Sequence, residues 1–241
     1  MENSSFGRLI GVLVAPGKTF RSIAERPSWL VAFLVVILCP VIPAVIAMPK
    51  MDWEGITRAQ LERADVQLPQ DQLEQRIEIT EKVGPYFAYA APVFFAIGLL
   101  LFALVFWGAF TLAGGALGFK RSLAVVSHGM MPVVVSTLLS LPIIIGMDKI
   151  GADVAEQGSY LKSNLAAFAP DGANAIVLNL LSHLDVFSIW TLVLLVIGFA
   201  VCAKVKQSTS AITVVLLWLV YCAIGVGFAA LGMAMGGGGK G

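Results

Sequence analysis

Residues 86–147, YFAYAAPVFFAIGLLLFALVFWGAFTLAGGALGFKRSLAVVSHGMMPVVVSTLLSLPIIIGM, decide the fold. Two apolar runs, 86–117 and 123–147, flank the link GFKRS at 118–122, and Lys120 and Arg121 are the only charged residues of the whole stretch. A helix crosses the hydrocarbon core with about 20 apolar residues, and each run reaches that length. The reading is a pair of membrane helices joined by a short basic turn.

Three more runs of this kind lie outside it, at 29–48, 187–203 and 211–235, and none of the 31 Lys, Arg, Asp and Glu residues falls within the five. The bulk numbers agree. Side chains are 58% hydrophobic and 13% charged, where soluble domains carry about 25% charge, and so little charge cannot clothe a water-soluble surface. The expected fold is all-α, a polytopic membrane protein of five transmembrane helices. It comprises a cytoplasmic amphipathic segment (1–28), a five-helix domain (29–235) with outer loops at 49–85 and 148–186, and a flexible Gly-rich tail (236–241). The fourth run is short for a span. The second is long, and Pro92 is expected to divide it, leaving Tyr86, Phe87 and Tyr89 in the aromatic belt.

Lys and Arg near span ends set sidedness. Segment 1–28 holds Arg8, Lys18, Arg21 and Arg26, and the links at 118–122 and 204–210 hold Lys120, Arg121, Lys204 and Lys206. The opposite segments also carry eight basic residues, spread over about twice the length. Density therefore places the N-terminus in the cytoplasm, the C-terminus outside and 13 of 15 acidic residues on the outer face. In the first outer loop Thr57 and Gln60 resemble a capping-box start, and Leu73, Ile77 and Thr80 share a helical face after Pro69. The second loop ends in AIVLNLLSHLDVF, whose Ile176, Val177, Leu180, Leu181, Leu184 and Phe187 form a stripe opposite Asn174, Asn179, Ser182 and His183. That pattern suits a helix lying in the interface.

Within 1–28, Phe6, Leu9, Ile10 and Leu13 recur at helical spacing, and Phe20 and Ile23 resume beyond Pro16. A broken amphipathic helix on the anionic inner leaflet is expected. Lys18, Phe20, Arg21 and Arg26 are its candidate cytoplasmic interface, toward lipids or membrane-protein partners.

Chemistry is scarce. Gly17-Lys18-Thr19 lacks the Gly five residues upstream that a phosphate-binding loop requires, because Val12 stands there. No nucleophile turn accompanies His128, so an intramembrane hydrolase is a remote alternative. His128 and Ser127 read instead as polar contacts between helices, or to a carbonyl freed by Pro132. Two histidines and three scattered cysteines offer no metal set. No cofactor is expected, and the net charge of +1 gives no reason to expect nucleic acid. A coupled carrier would want a carboxylate at mid-membrane, which is missing, so a small uncoupled transporter or channel is the alternative function. Gly114 and Gly118 form G-x-x-x-G, and Gly225 and Gly227 lie in small-x-x-x-small pairs, the spacing of close helix packing or of a homo-oligomer.

The order of these features resembles the bacterial Yip family, named for proteins that interact with Ypt/Rab-type GTPases. The segments concerned are APGKTFRSIAERP (15–27), LPQDQLEQRIEITEKVGP (68–85), GGALGFKRSLAVVSHGMMP (114–132) and the run from Leu178 to Leu219. The resemblance implies five spans, a cytoplasmic N-terminus, residence in the bacterial inner membrane and a non-enzymatic scaffold or adaptor role. A Rab-type GTPase is not an expected partner, since the N-terminus is very short and bacteria lack Rabs.

Overall fold

The structure, a computed structural model, describes residues 4–63, 66–152, 154, 160–169 and 175–236. Among them the regular elements are helices, with two isolated β-bridges. They are α1 (Ser5–Val14), α2 (Pro16–Glu25), α3 (Leu30–Leu38), α4 (Val41–Ala47), α5 (Trp53–Arg63), α6 (Gln70–Leu112), α7 (Phe119–Gly129), α8 (Met131–Gly146), α9 (Ala175–Ser182), α10 (Val186–Cys202) and α11 (Gln207–Gly236).

Among the described residues, four helical stretches are long and apolar enough to cross a membrane: Leu30–Lys50, Tyr89–Leu112, Phe119–Gly146 and Gln207–Gly227. The fifth expected span is α10, apolar but only 17 residues long. Pro40 separates α3 from α4, as its missing N–H and its ring demand. Pro92 does not do the same. The helix α6 runs unbroken for 43 residues through Pro85 and Pro92, so the expected division of the second span is absent. The second short helix foreseen in the first outer loop is the beginning of this same element. Its companion α5 starts at Trp53, ahead of the expected Thr57; Asp52 accepts the Gly55 N–H at 3.1 Å, and Thr57 is buried within the helix. The expected tail lies outside the described residues from 237 onward, as does Asn174.

The chain divides into two compact units. The first comprises Met1–Pro40, Pro92–Leu138 and Val186–Val220. Its centre is an aromatic stack: the Phe199 ring of α10 lies 4.7 Å from Phe106 and 4.4 Å from Phe110, nearly parallel to both. Small residues let the backbones close in around it. A Cβ on Gly129 would meet Leu195 Cδ2 at 2.6 Å, and one on Gly115 would meet Ala203 at 3.1 Å. Serine hydroxyls bridge helices here, Ser122 donating to Ala103 O and Ser210 to Val196 O, each at 2.7 Å.

The second unit comprises Val41–Ala91, Leu139–Asp185 and Tyr221–Gly241, with Ala47, Ile144 and Ile150 at its core. Its organising contact is Lys50. The ammonium donates to the carbonyls of Ile144, Ile145 and Met147 at 2.9, 2.9 and 2.7 Å, closing the end of α8, where carbonyls lack helical partners and the dipole favours a cation. The neighbouring backbone pairs in parallel: Ile150 N–H donates to Lys50 O at 2.7 Å and Asp52 N–H to Ile150 O at 2.9 Å. Lys149 meets Asp52 at 2.9 Å, and with the Gly55 N–H it holds that carboxyl below its ordinary pKa. Trp53 seats on α6 at Gly84, where a Cβ would lie 2.5 Å from the indole.

Lys50→Met keeps the stem and removes the three donors. It is expected to cost about 2 kcal/mol, the scale of hydrogen bonds to a charged group, read as a lower Tm in detergent, whereas Lys50→Arg retains most of the stability.

Candidate functional site

The first unit carries the N-terminal hairpin, and its geometry follows from a few residues. The Ser4 hydroxyl caps α1 by accepting the Gly7 N–H at 3.0 Å. Ala15 leaves helical geometry, and Pro16, which needs no N–H partner, opens α2. The two helices approach closely because Gly11 has no side chain: a Cβ there would lie 2.8 Å from Thr19 Oγ1.

The inward face of α1 is Arg8 and Val12, and that of α2 is Thr19, Phe20 and Ile23. Phe20 is fully buried and rests on Gly198 of α10, where a Cβ would meet its ring at 2.8 Å and Val125 of α7 at 2.7 Å. The Phe20 carbonyl accepts from the Cys202 thiol at 3.7 Å. Arg8 is only 6% exposed. One terminal nitrogen, Nη1, donates to Arg26 O at 2.8 Å and Ser28 Oγ at 2.6 Å, while Nη2 donates to Ser22 Oγ at 2.9 Å. The guanidinium thus ties α1 to the end of α2 and the entry to α3. The helical spacing of α1 was foreseen; of the expected stripe Phe6 and Ile10 point outward at 69% and 68% exposure, joined by Val14 at 77%, while Leu9 and Leu13 pack against the core.

Of the expected interface residues, Lys18, Arg21 and Arg26 are exposed, whereas Phe20 belongs to the core and offers nothing to a partner. Packing brings the basic links to the same end of this unit. Ala116 N–H donates to Ala203 O at 2.9 Å, joining the turn before α7 to the turn after α10. Lys120, Lys204 and Lys206 are exposed there, and Arg121 is half-buried. Lys204 takes a left-handed backbone, φ 56°, two residues past the end of α10, a place where glycine is usual and a cation complements the helix end.

His128 and Ser127 are buried in α7. The imidazole Nδ1–H donates to Ala124 O at 2.8 Å, one turn back in its own helix. This contact is neither interhelical nor directed at a carbonyl freed by Pro132. Ser127 Oγ has no hydrogen-bond partner.

The glycines sort differently from their expectation as well. Gly114, φ +80°, closes the end of α6 and Gly118 caps α7, so the two stand in a turn rather than on one helix face; a Cβ on either would meet nothing within 4 Å. Gly227 likewise has open space. Gly225 alone of the four makes a close approach, facing Asn179 Oδ1 and His183 Cε1 of the α9 segment at 3.3 Å each. The α9 stripe itself emerged as foreseen in part, with Val177, Leu180 and Leu184 exposed and Asn179 Oδ1 buried.

Sequence reasoning passed over Arg8, Lys50, Gly129 and Gly198. Arg8 had one usable signal, an isolated cation on an apolar helix with Ser22 and Ser28 flanking the break at Pro27. The contacts of Lys50 and the two glycines depend on residues far along the chain.

The Yip1 domain family matches residues 10–229. The chain belongs to the Yip1 domain family. A relative from Bacillus subtilis (strain 168), membrane protein YknW, is 29% identical over 214 residues, which span 87% of this chain and 84% of that one. No solved structure matches. In this Yip1 domain the match begins within α1 and ends within α11, so it takes in the hairpin together with the apolar helices.

Arg8→Met should release the hairpin. Loss of three charge-assisted bonds is expected to cost about 3 kcal/mol, read in detergent as faster tryptic cleavage at Lys18 and Arg21 with the remaining helices still protected.

Proposed function

We propose that this Yip1-domain protein is a non-catalytic scaffold of the bacterial inner membrane that presents a rigid basic face to other membrane components. Its reading has five spans, the N-terminus in the cytoplasm and the C-terminus outside. The observation that carries it is the locked hairpin: Arg8 ties α1 to α2 and the entry to α3, and Phe20 seats α2 on α10, so Lys18, Arg21 and Arg26 stand exposed at set positions on the unit that also exposes Lys120, Lys204 and Lys206. A scaffold needs such fixity, because ordering a loose segment upon binding would consume much of its affinity. Two features support five spans. First, α10 is free of charge, and its 17 residues lie at the lower limit for a crossing helix. Second, it packs through Leu194, Leu195, Gly198 and Phe199 into the same core as the longer apolar helices, which a segment lying on the surface would not do.

Topology is tested with single cysteines in a Cys-free background. Positions 60 and 162, both exposed, are expected to react with an impermeant thiol reagent in intact cells and position 121 only after lysis. Labelling of position 121 in intact cells would reverse the orientation.

Scaffolding is tested by mild-detergent purification of the full chain and of an Arg21→Glu, Arg26→Glu variant. The wild type should retain membrane components that the variant loses at equal yield and Tm. Identical retention would overturn the basic face as the presenting surface, and solute flux through proteoliposomes above that of empty vesicles would favour a channel instead.

A further inference from the structure

We infer that the basic face of the first unit, with the outward stripe of α1, is a docking surface for anionic phospholipid headgroups. The inference rests on the reading of that face as a presenting surface and names its occupant.

Charge is the first argument. Segments 4–28, 118–122 and 204–210 carry eight basic residues, of which Arg8 is turned inward, against a single carboxylate, Glu25. The seven others are exposed or half-buried, and a backbone bond from Ala116 to Ala203 joins the two turns that carry four of them. A field of one sign attracts a polyanionic surface, and basic clusters beside membrane helices draw acidic lipids.

The second argument separates lipid from an acidic protein or a nucleic acid. A helix beside water hides its apolar residues and exposes its charges. Here α1 turns its one charge, Arg8, inward beside Val12 and leaves Phe6, Ile10 and Val14 one turn apart on the outer face at 69%, 68% and 77% exposure. Nor does the inversion come from disorder, since three hydrogen bonds hold Arg8 in place. Aliphatic and aromatic side chains in a row next to cations match the boundary between acyl chains and headgroups. The hairpin thus offers acyl contact from α1 and headgroup contact from α2 and the two basic turns.

The test uses the purified full chain in phosphatidylcholine vesicles doped with spin-labelled phosphatidylglycerol or spin-labelled phosphatidylcholine, with no other protein present. Association is expected to favour the anionic probe by about threefold at low salt and to approach parity at 1 M salt, as surface electrostatics require. The triple variant Lys120→Gln, Lys204→Gln, Lys206→Gln should lose the preference at unchanged Tm. In a second measurement, a fluorophore on Ile10→Cys should be quenched by lipid carrying a nitroxide near the headgroup end of its acyl chain, and one on Arg21→Cys should not.

Equal association of the two probes, or a preference that the triple variant keeps, would overturn the inference. So would an Ile10 fluorophore that remains in water. If the preference is absent while the Arg21→Glu, Arg26→Glu variant still loses a co-purified protein, the face serves a protein partner: the lipid assignment falls and the scaffold stands. A lipid preference with no retained component of any kind supports this inference and removes the protein scaffold.

Discussion

A cation close to a membrane core has few stable options, and the guanidinium of Arg8 takes one of them. Water is excluded from its burial site, so its donors must find oxygen within the chain. The two terminal nitrogens find it at Arg26 O, Ser28 and Ser22, while the buried Nε has no partner among the described residues. Satisfying one charge in this way fixes the angle between α1 and α2 and the point where α3 begins. Remaining features of the hairpin follow from it. With Arg8 inside, the faces of α1 are assigned, and Phe6, Ile10 and Val14 are left outside.

Lys50 meets the same constraint in the other unit. Its ammonium has three donors and finds three carbonyls at the end of α8, groups that have no partner within the helix. In both cases a long basic side chain closes a helix-terminal problem that backbone bonding leaves open. The two residues count toward charge when sidedness is read from sequence, but their work is structural. This separates them from the exposed Lys18, Lys204 and Lys206. Counting basic residues treats all of these as equivalent, and the difference lies wholly in where packing puts them.

The sequence makes the helices legible because lipid imposes a blunt rule: backbone groups must be satisfied internally, and side chains facing lipid must be apolar. Runs at 86–117, 123–147 and 211–235 appear as helices close to their expected places. Proline is less predictable. Pro40 ends a helix and Pro92 does not, since one lost bond and a local adjustment are tolerable where the helix continues on both sides. Small residues are the least legible. The G-x-x-x-G spelling of Gly114 and Gly118 suggested a packing face, but a left-handed turn used the first and a helix cap the second. Gly198 and Gly129, which stand in no such spelling together, admit Phe20 and Leu195. A glycine's partner is set by which helix passes over it, and that is a property of the tertiary arrangement.

The proposed scaffold role depends on how apolar helices hold a single arrangement. Among apolar helices in lipid, burial supplies little driving force, because the solvent is as apolar as the side chains. Specific arrangement must come from close contact and from polar groups with limited choices. The first unit uses both kinds: a stack of Phe106, Phe199 and Phe110, glycines under Phe20 and Leu195, and serine hydroxyls crossing between helices. Each such contact tolerates few alternatives in register. Two short helices of ten residues each, too short to hold their shape alone in water, can therefore stand as a fixed surface. Their rigidity is borrowed from α7 and α10 through Phe20, and any change at Gly198 that lifts that ring must also loosen the basic face more than a turn away.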